Sequence, residues 1–150
     1  MPDILVTVAI PTLAADARLR ECVSALEKQT LRDFEVMIVD NSGQGLVRRI
    51  DAARPGIRVI ERQSNIGFGP AINAAFRQSR GPYLATLNDD AVAHPGWLAA
   101  LVSAMESRPE VGMCASQVRL YGEDALDSAG MLVAGDGTGK QRGHLRPPKF

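Results

Sequence analysis

The sequence predicts an α/β fold, with a mostly parallel sheet that is covered by helices on both faces. The first sign is a series of short apolar runs, such as ILVTVAI at Ile4–Ile10 and FEVMIV at Phe34–Val39, which are typical of strands buried on both sides. The second is that stripes of apolar residues at helical spacing lie between these runs. The third is the short connections rich in Gly, Pro, Asp and Asn, which favour βαβ units with right-handed crossovers.

Five strands and four helices are expected in strict alternation. The predicted strands are Ile4–Ile10, Phe34–Val39, Ile57–Glu61, Tyr83–Leu87 and Val111–Arg119. The predicted helices run from an N-cap at Asp16 to about Gln29, from Gln44 to Ala53, from the loop at 64–70 to Ser79, and from Pro95 to Ser107. Beyond Tyr121 the chain becomes glycine-rich and then basic.

Composition excludes several classes of protein. The 150 residues, 45% of them hydrophobic, are enough for one domain with a core. A formal net charge of zero argues against a nucleic-acid partner. No apolar run of about 18 residues is present, so no transmembrane segment is expected. Cys22 and Cys114 stand among apolar neighbours, which favours two reduced core residues in a cytosolic protein, with a disulfide as the alternative.

Polar residues follow three of the predicted strands, as Pro11-Thr12, Asp40-Asn41 and Asn88-Asp89-Asp90. The carboxyl ends of parallel strands lie side by side, and ligands of open α/β sheets bind there. Adjacent carboxylates repel one another, and a hard divalent cation that holds a phosphate would relieve this repulsion. The alternative is that Asp40 and Asp90 only cap the helices that follow them.

The segment Asn65-Ile66-Gly67-Phe68-Gly69 opens the third predicted helix. Its glycines allow a close approach to the backbone, and a helix N-terminus favours an anion. It lacks the third glycine of a dinucleotide fingerprint. An ordinary loop with a glycine-containing N-cap is the alternative interpretation.

Taken together, these segments resemble family 2 nucleotide-sugar glycosyltransferases, in particular the rhamnosyltransferase-like branch. The resemblance is collinear over about residues 4–120. It rests on Val6–Thr12, on Phe34–Ser42, on Asn65-Ile66-Gly67-Phe68-Gly69 followed by Asn73, on Leu87–Asp90, and on Pro95–Leu98. It implies a GT-A fold, in which residues 1–120 form a Rossmann-like nucleotide-binding half and residues 121–150 begin a truncated acceptor half.

The resemblance also implies a role for each matching residue. Nucleotide-sugar-binding roles fall on Pro11 and Thr12 in the pocket wall, Asp40 at the base or ribose, Asn65, Gly67 and Asn73 near the nucleotide, and Asp89 at the ribose or sugar. Asp90 would be the direct ligand of Mg²⁺ or Mn²⁺. Asn88 stands where the family has the first acid of its D-x-D motif, and it would give the metal an uncharged oxygen.

The implied reaction is the inverting, metal-dependent transfer of a sugar such as rhamnose from a dTDP- or UDP-linked donor. The acceptor would be a glycan or lipid-linked molecule in polysaccharide biosynthesis, and the location cytoplasmic, with the inner membrane face as a peripheral site. The general base is expected beyond Phe150. The chain by itself should therefore bind nucleotide and transfer sugar poorly or not at all. A non-catalytic nucleotide-binding module with a degenerate transferase fold is the alternative.

Overall fold

The computed structural model describes residues 3–49 and 56–148. The chain divides into two compact units, one up to Ala99 and one from Ala100 onward. The sequence placed its change of character later, at Tyr121, and that boundary stays a prediction.

The first unit contains a four-stranded parallel sheet. Its strands are β1 (Val6–Thr12), β2 (Phe34–Asp40), β3 (Ile57–Glu61) and β4 (Tyr83–Thr86), in the order β3-β2-β1-β4. Its helices are α1 (Ala17–Leu26), α2 (Phe68–Phe76) and the start of α3 (Trp97–Glu106). The predicted α/β fold class is confirmed.

Helices cover both faces of this sheet. Because β1 to β2 and β3 to β4 cross the sheet in opposite directions, right-handed crossovers place α1 and α2 on opposite faces. The α2 face is made of small and medium apolar side chains that allow a close approach: Ala9, Met37, Val39, Ala71 and Ala75. The alternate residues of β1 and β2, such as Val8, Ile10 and Ile38, are equally buried on the other side.

The second unit contains the rest of α3 and two small antiparallel ribbons. Val118–Arg119 (β5) pairs with Leu126–Ser128 (β6), and Met131–Val133 (β7) pairs with Gly139–Gln141 (β8). The glycine-rich stretch after Tyr121 therefore forms ribbons that are joined by tight turns.

The predicted fifth strand at Val111–Arg119 is wrong. Within this run only Val118 and Arg119 form a strand, and they pair antiparallel with β6 rather than with the parallel sheet. The apolar run suggested a buried strand, but Met113 and Val118 are exposed. A strand also needs a neighbour for its backbone hydrogen bonds, which hydrophobicity alone does not supply.

Two predicted helix starts are also wrong. Gln44–Leu46 is not helical, and a 3₁₀ turn begins at Val47 (Val47–Arg49), because Gly43 and Gly45 adopt positive φ angles of 74° and 62°. The remainder of that predicted helix, from residue 50 to 53, lies outside the described residues. Pro95 lies in the turn before α3 instead of in its first turn, because its carbonyl accepts a hydrogen bond from the Thr30 amide rather than from within the helix.

The two cysteines differ in environment. Cys22 is buried in the core, as expected, but Cys114 is exposed, and both are free thiols. Within the described part of the chain, no helix combines the length and apolar character needed to cross a membrane.

Gly81 occupies a position that a larger residue cannot share. A Cβ atom there would lie 2.6 Å from the Leu5 carbonyl oxygen and 2.9 Å from the Val6 amide nitrogen, both backbone atoms where β1 begins. We expect Gly81→Ala to lower the free energy of unfolding by about 1–3 kcal/mol, the usual cost of overpacking. Urea unfolding measures it. Gly112→Ala is the control, since no neighbour lies within 4 Å, and equal losses in both variants would contradict the packing explanation.

Candidate nucleotide-binding site

The candidate site lies where β2, β1 and β4 end side by side. Thr12 is in register with Asp40 across the β1–β2 pair. The backbone amide of Asn41 donates to the Thr12 carbonyl at 2.8 Å, and the backbone amide of Leu87 donates to the Ala9 carbonyl at 3.0 Å. The three polar segments that the sequence placed after these strands are thus brought to one edge of the sheet.

Thr12 connects the end of β1 to the acidic segment that follows β4. The Thr12 hydroxyl lies 2.6 Å from Asp89 Oδ2 and 2.5 Å from the Ala14 carbonyl oxygen, and it accepts from the Ala14 amide at 3.1 Å. Thr12 is 3% exposed, whereas Asp89 is half-buried. The structure therefore places Thr12 beneath the acidic segment and Asp89 between Thr12 and the solvent.

Asn88 and Asp90 are exposed at the surface of the site. The Asn88 carbonyl oxygen accepts from the Ala91 amide at 3.2 Å and lies 3.4 Å from Cys22 Sγ. Burial, together with the charges of Asp89 and Asp90, raises the pKa of the Cys22 thiol to about 12, so this thiol stays protonated and can donate. The segment is thus held from below, and its two outer side chains remain accessible.

Both carboxylate oxygens of Asp40 accept hydrogen bonds from residues that follow it in the chain. The residue is 1% exposed; its Oδ1 accepts from the Ser42 amide and hydroxyl, and its Oδ2 accepts from the Val47 amide at 2.8 Å. Burial alone would raise the pKa of this carboxyl group, but the hydrogen bonds from Ser42, Val47 and Leu46 lower it below its usual value. The geometry is that of a turn and cap residue, the alternative that the sequence had left open.

Asn41 is a site residue to which the sequence assigned no role of its own. It is 3% exposed. Its Nδ2 donates to Asn65 Oδ1 at 2.9 Å, and its Oδ1 accepts from the Ile66 amide at 3.1 Å, while Asn65 Oδ1 also accepts from the Gly67 amide. Asn41 thus fixes the loop before α2 to the end of β2. Its position beside Asp40 was the only signal in the sequence.

The side-chain amide of Asn41 suggests a sharp test. Asn41→Asp would turn its donor Nδ2 into an oxygen that faces Asn65 Oδ1, so we expect the free energy of unfolding to fall by about 1–3 kcal/mol. Asn65→Asp is the matched control, because the described contacts of Asn65 use its Oδ1 only as an acceptor. Chemical denaturation compares the two. Equal destabilisation by both substitutions would contradict the assigned hydrogen bonds.

The remaining predicted residues differ in how close they lie to the site. Gly67 has φ 85° and ψ 166° at the N-cap of α2, a conformation that is essentially restricted to glycine. Pro11 is half-buried near the end of β1, in register with Val39. Asn73 is exposed in the middle of α2. The structure thus places Gly67 beside Asn41, and it records no contact of Asn73 with the acidic segment.

Gln29 is a second buried polar residue that the sequence did not single out. Its Nε2 donates to the His94 carbonyl at 2.7 Å, and its Oε1 accepts from the Leu98 amide at 3.0 Å, in the first turn of α3. Gln29 therefore ties the segment after Asp90 to the end of α1.

The oxygen atoms of Asn88 and Asp90 fit a divalent metal ion whose coordination is completed by a phosphate. Among residues 3–49 and 56–148 no group of three or more His, Cys, Asp or Glu side chains could hold a metal. Mg²⁺ is commonly bound through one or two carboxylates together with substrate phosphates. Asp90 and Asn88 would supply hard oxygen atoms of this kind. No described residue hydrogen-bonds to the Asp90 carboxylate, so it is available.

Comparison with known proteins identifies the family to which the chain is similar. Residues 7–145 match Glycosyl transferase family 2. Chondroitin synthase of Escherichia coli is 35% identical over 95 residues, which cover 61% of this chain and 14% of the relative. The chain spans 9% to 38% of the length of eight curated relatives that it matches.

Two solved structures share the fold. The mannosyltransferase PcManGT from Pyrobaculum calidifontis, in complex with GDP-Man and Mn²⁺, has a TM-score of 0.63 and 27% identity, over 75% of this chain and 35% of its own. S. aureus TarS 1-349, in complex with UDP-GlcNAc, has a TM-score of 0.62 and 20% identity, over 79% of this chain and 41% of its own. With a parallel sheet of the GT-A type, polar strand ends at one edge and a family match over residues 7–145, the chain belongs to glycosyl transferase family 2.

Proposed function

We propose that this chain forms the donor-binding part of a metal-dependent glycosyltransferase that takes a sugar from a nucleoside diphosphate. The observation that carries the proposal is the meeting of Thr12, Asn41 and the Asn88–Asp90 segment at one sheet edge, with Thr12 hydrogen-bonded to Asp89. That edge is where α/β sheets bind ligands. The 27% identical mannosyltransferase, which is complexed with GDP-Man and Mn²⁺, supports both the nucleotide and the metal.

The residues of the site divide between two tasks. Asp90 and Asn88 would hold Mg²⁺ or Mn²⁺, which when bound supplies Lewis-acid neutralisation of the departing diphosphate. Asp89 would bind the ribose or the sugar of the donor. Pro11, with the backbone at Asn65 and Gly67 and the exposed Asn73, would form the wall of the nucleotide pocket. Asp40 would act mainly by shaping the turn at residues 42–47, because its own chain occupies both of its oxygen atoms.

The transfer itself would be inverting. The acceptor hydroxyl would form a new bond to C1 of the sugar as the bond from C1 to the diphosphate oxygen breaks. A general base would take the proton of that hydroxyl. Rhamnose is one candidate sugar, and a glycan or a lipid-linked molecule is the candidate acceptor. The uncharged Asn88 favours a second candidate, a nucleotide-binding module without turnover.

Calorimetric titration of the chain with UDP, dTDP and GDP, each with Mn²⁺ and with a chelator, tests the proposal. We expect one nucleotide to bind with a sub-millimolar Kd that Mn²⁺ improves. Absence of binding by all three nucleotides would overturn it. If binding occurs, turnover of the corresponding nucleotide sugar by a longer chain that includes an acceptor half distinguishes the transferase from the non-catalytic module, because the donor-binding part alone is expected to transfer sugar poorly or not at all.

A further inference from the structure

We propose that Thr12 is a positioning residue that acts through Asp89, rather than a residue that touches the nucleotide. This inference rests on the proposed function, since it concerns the same site. Three observations on the Thr12 side chain carry it: its burial, the number of its hydrogen bonds, and the charge of its acceptor.

Burial removes Thr12 from direct contact with a ligand. The residue is 3% exposed, so almost none of its surface is open to a molecule that binds at the sheet edge. By contrast, Asp89 is half-buried and Asp90 is exposed. What Thr12 contributes to binding must therefore pass through a neighbour, and its hydroxyl reaches Asp89 Oδ2 at 2.6 Å.

The hydroxyl has one proton and two acceptors within reach, Asp89 Oδ2 and the Ala14 carbonyl oxygen at 2.5 Å. A carboxylate is the stronger acceptor because hydrogen bonds to ionised groups are about twice as strong as neutral ones. The Thr12 hydroxyl therefore donates its hydrogen bond to Asp89 while no ligand is bound to that carboxylate. When a ligand binds Asp89, the hydroxyl can rotate and donate to the Ala14 carbonyl instead, so it has an acceptor in both states.

One consequence is a preferred orientation for Asp89. With Oδ2 held by Thr12, the oxygen left for a donor hydroxyl is Oδ1, to which no residue of the described chain hydrogen-bonds. A carboxylate that is held before the ligand arrives loses less conformational freedom on binding. Because the Asn41 amide donates to the Thr12 carbonyl, Asp89 is in this way tied to the central strands β1 and β2.

A double-mutant cycle on nucleotide affinity tests this role. The variants are Thr12→Val, which keeps the shape and removes the hydroxyl, Asp89→Ala, and both together, each titrated with UDP, dTDP and GDP in Mn²⁺. We expect Thr12→Val to lower the affinity for the nucleotide that binds by about 5- to 10-fold in the wild-type background and by less than about twofold when Asp89 is alanine. Thr12→Ser, which restores the hydroxyl, should return the affinity to within about twofold of wild type.

Thr30→Val is the matched control, since it makes the same chemical change at an exposed position that precedes β2, away from the carboxyl ends of the strands, and it should leave the Kd unchanged. Equal effects of Thr12→Val with and without Asp89 would overturn the inference and leave the proposed function standing. So would a failure of Thr12→Ser to restore affinity in protein that melts like wild type. If the wild-type chain binds none of the three nucleotides, the proposed function fails and this inference fails with it.

Discussion

Asp90→Ala is expected to abolish the Mn²⁺-dependent gain in nucleotide affinity while leaving the fold intact. Asp90 is exposed, and no described residue hydrogen-bonds to its carboxylate, so its removal costs the folded chain little. Removing a residue that hydrogen-bonds to a metal ligand lowers the metal affinity by about 10- to 100-fold. Loss of the ligand itself should therefore cost about 100-fold or more. Calorimetry with nucleotide and Mn²⁺, together with a thermal melt, measures both quantities.

Asp33→Ala is a suitable control for this experiment. Asp33 is an exposed carboxylate that precedes β2, at the opposite edge of the same sheet, so its removal changes the net charge equally but not the site. A variant Asp90→Ala that keeps the full Mn²⁺ effect would show that the metal is held elsewhere. Asp89→Ala would then be the next variant to examine.

Asp40→Asn is expected to destabilise the chain by about 2–3 kcal/mol at pH 7, since hydrogen bonds to a charged group contribute about 1.5–3 kcal/mol. The new side-chain NH₂ group would face the amide of either Val47 or Ser42, both of which need an acceptor. Although burial would raise the pKa of Asp40, the hydrogen bonds from Ser42, Val47 and Leu46 lower it below the ordinary value of 3.8 in the folded chain. Its stabilisation is therefore complete above about pH 3.8 and is lost as the pH falls through the lower folded value.

Urea unfolding of wild type and Asp40→Asn between pH 7 and pH 3 measures this effect. The difference between the two should shrink on the acidic side of pH 3.8. Ser42→Ala removes only one donor to Oδ1 and should cost about 1 kcal/mol. If Asp40→Asn keeps full stability but loses nucleotide affinity, then Asp40 contacts the ligand directly, as the family resemblance implied, and its role as a cap is secondary.

The fold class followed from local patterns for a physical reason. Strands that are buried on both faces must be apolar along their whole length, so β1 and β2 were visible as runs, and β3 was placed at its observed bounds, Ile57–Glu61. The same logic failed at Val111–Arg119, where the only strand partner among the described residues is the short antiparallel β6 at Val118–Arg119, and the parallel sheet supplies none. The predicted helix start at Gln44 failed because Gly43 and Gly45 adopt positive φ angles. The start at Pro95 failed because its carbonyl accepts a hydrogen bond from Thr30, a residue far away in the sequence.

The candidate site shows the same division. By itself, the sequence determined that Thr12, Asp40 and Asn88–Asp90 would meet at one edge, since the order of alternating strands and helices fixes where parallel strands end. Only the tertiary structure decided what each side chain does there: Thr12 lies under Asp89, Asp40 serves its own turn, and Asn41 holds the loop at Asn65. Chain order places residues at an edge, whereas the partners Asp89 of Thr12 and Asn65 of Asn41 lie 77 and 24 positions away, and no local pattern encodes such a choice.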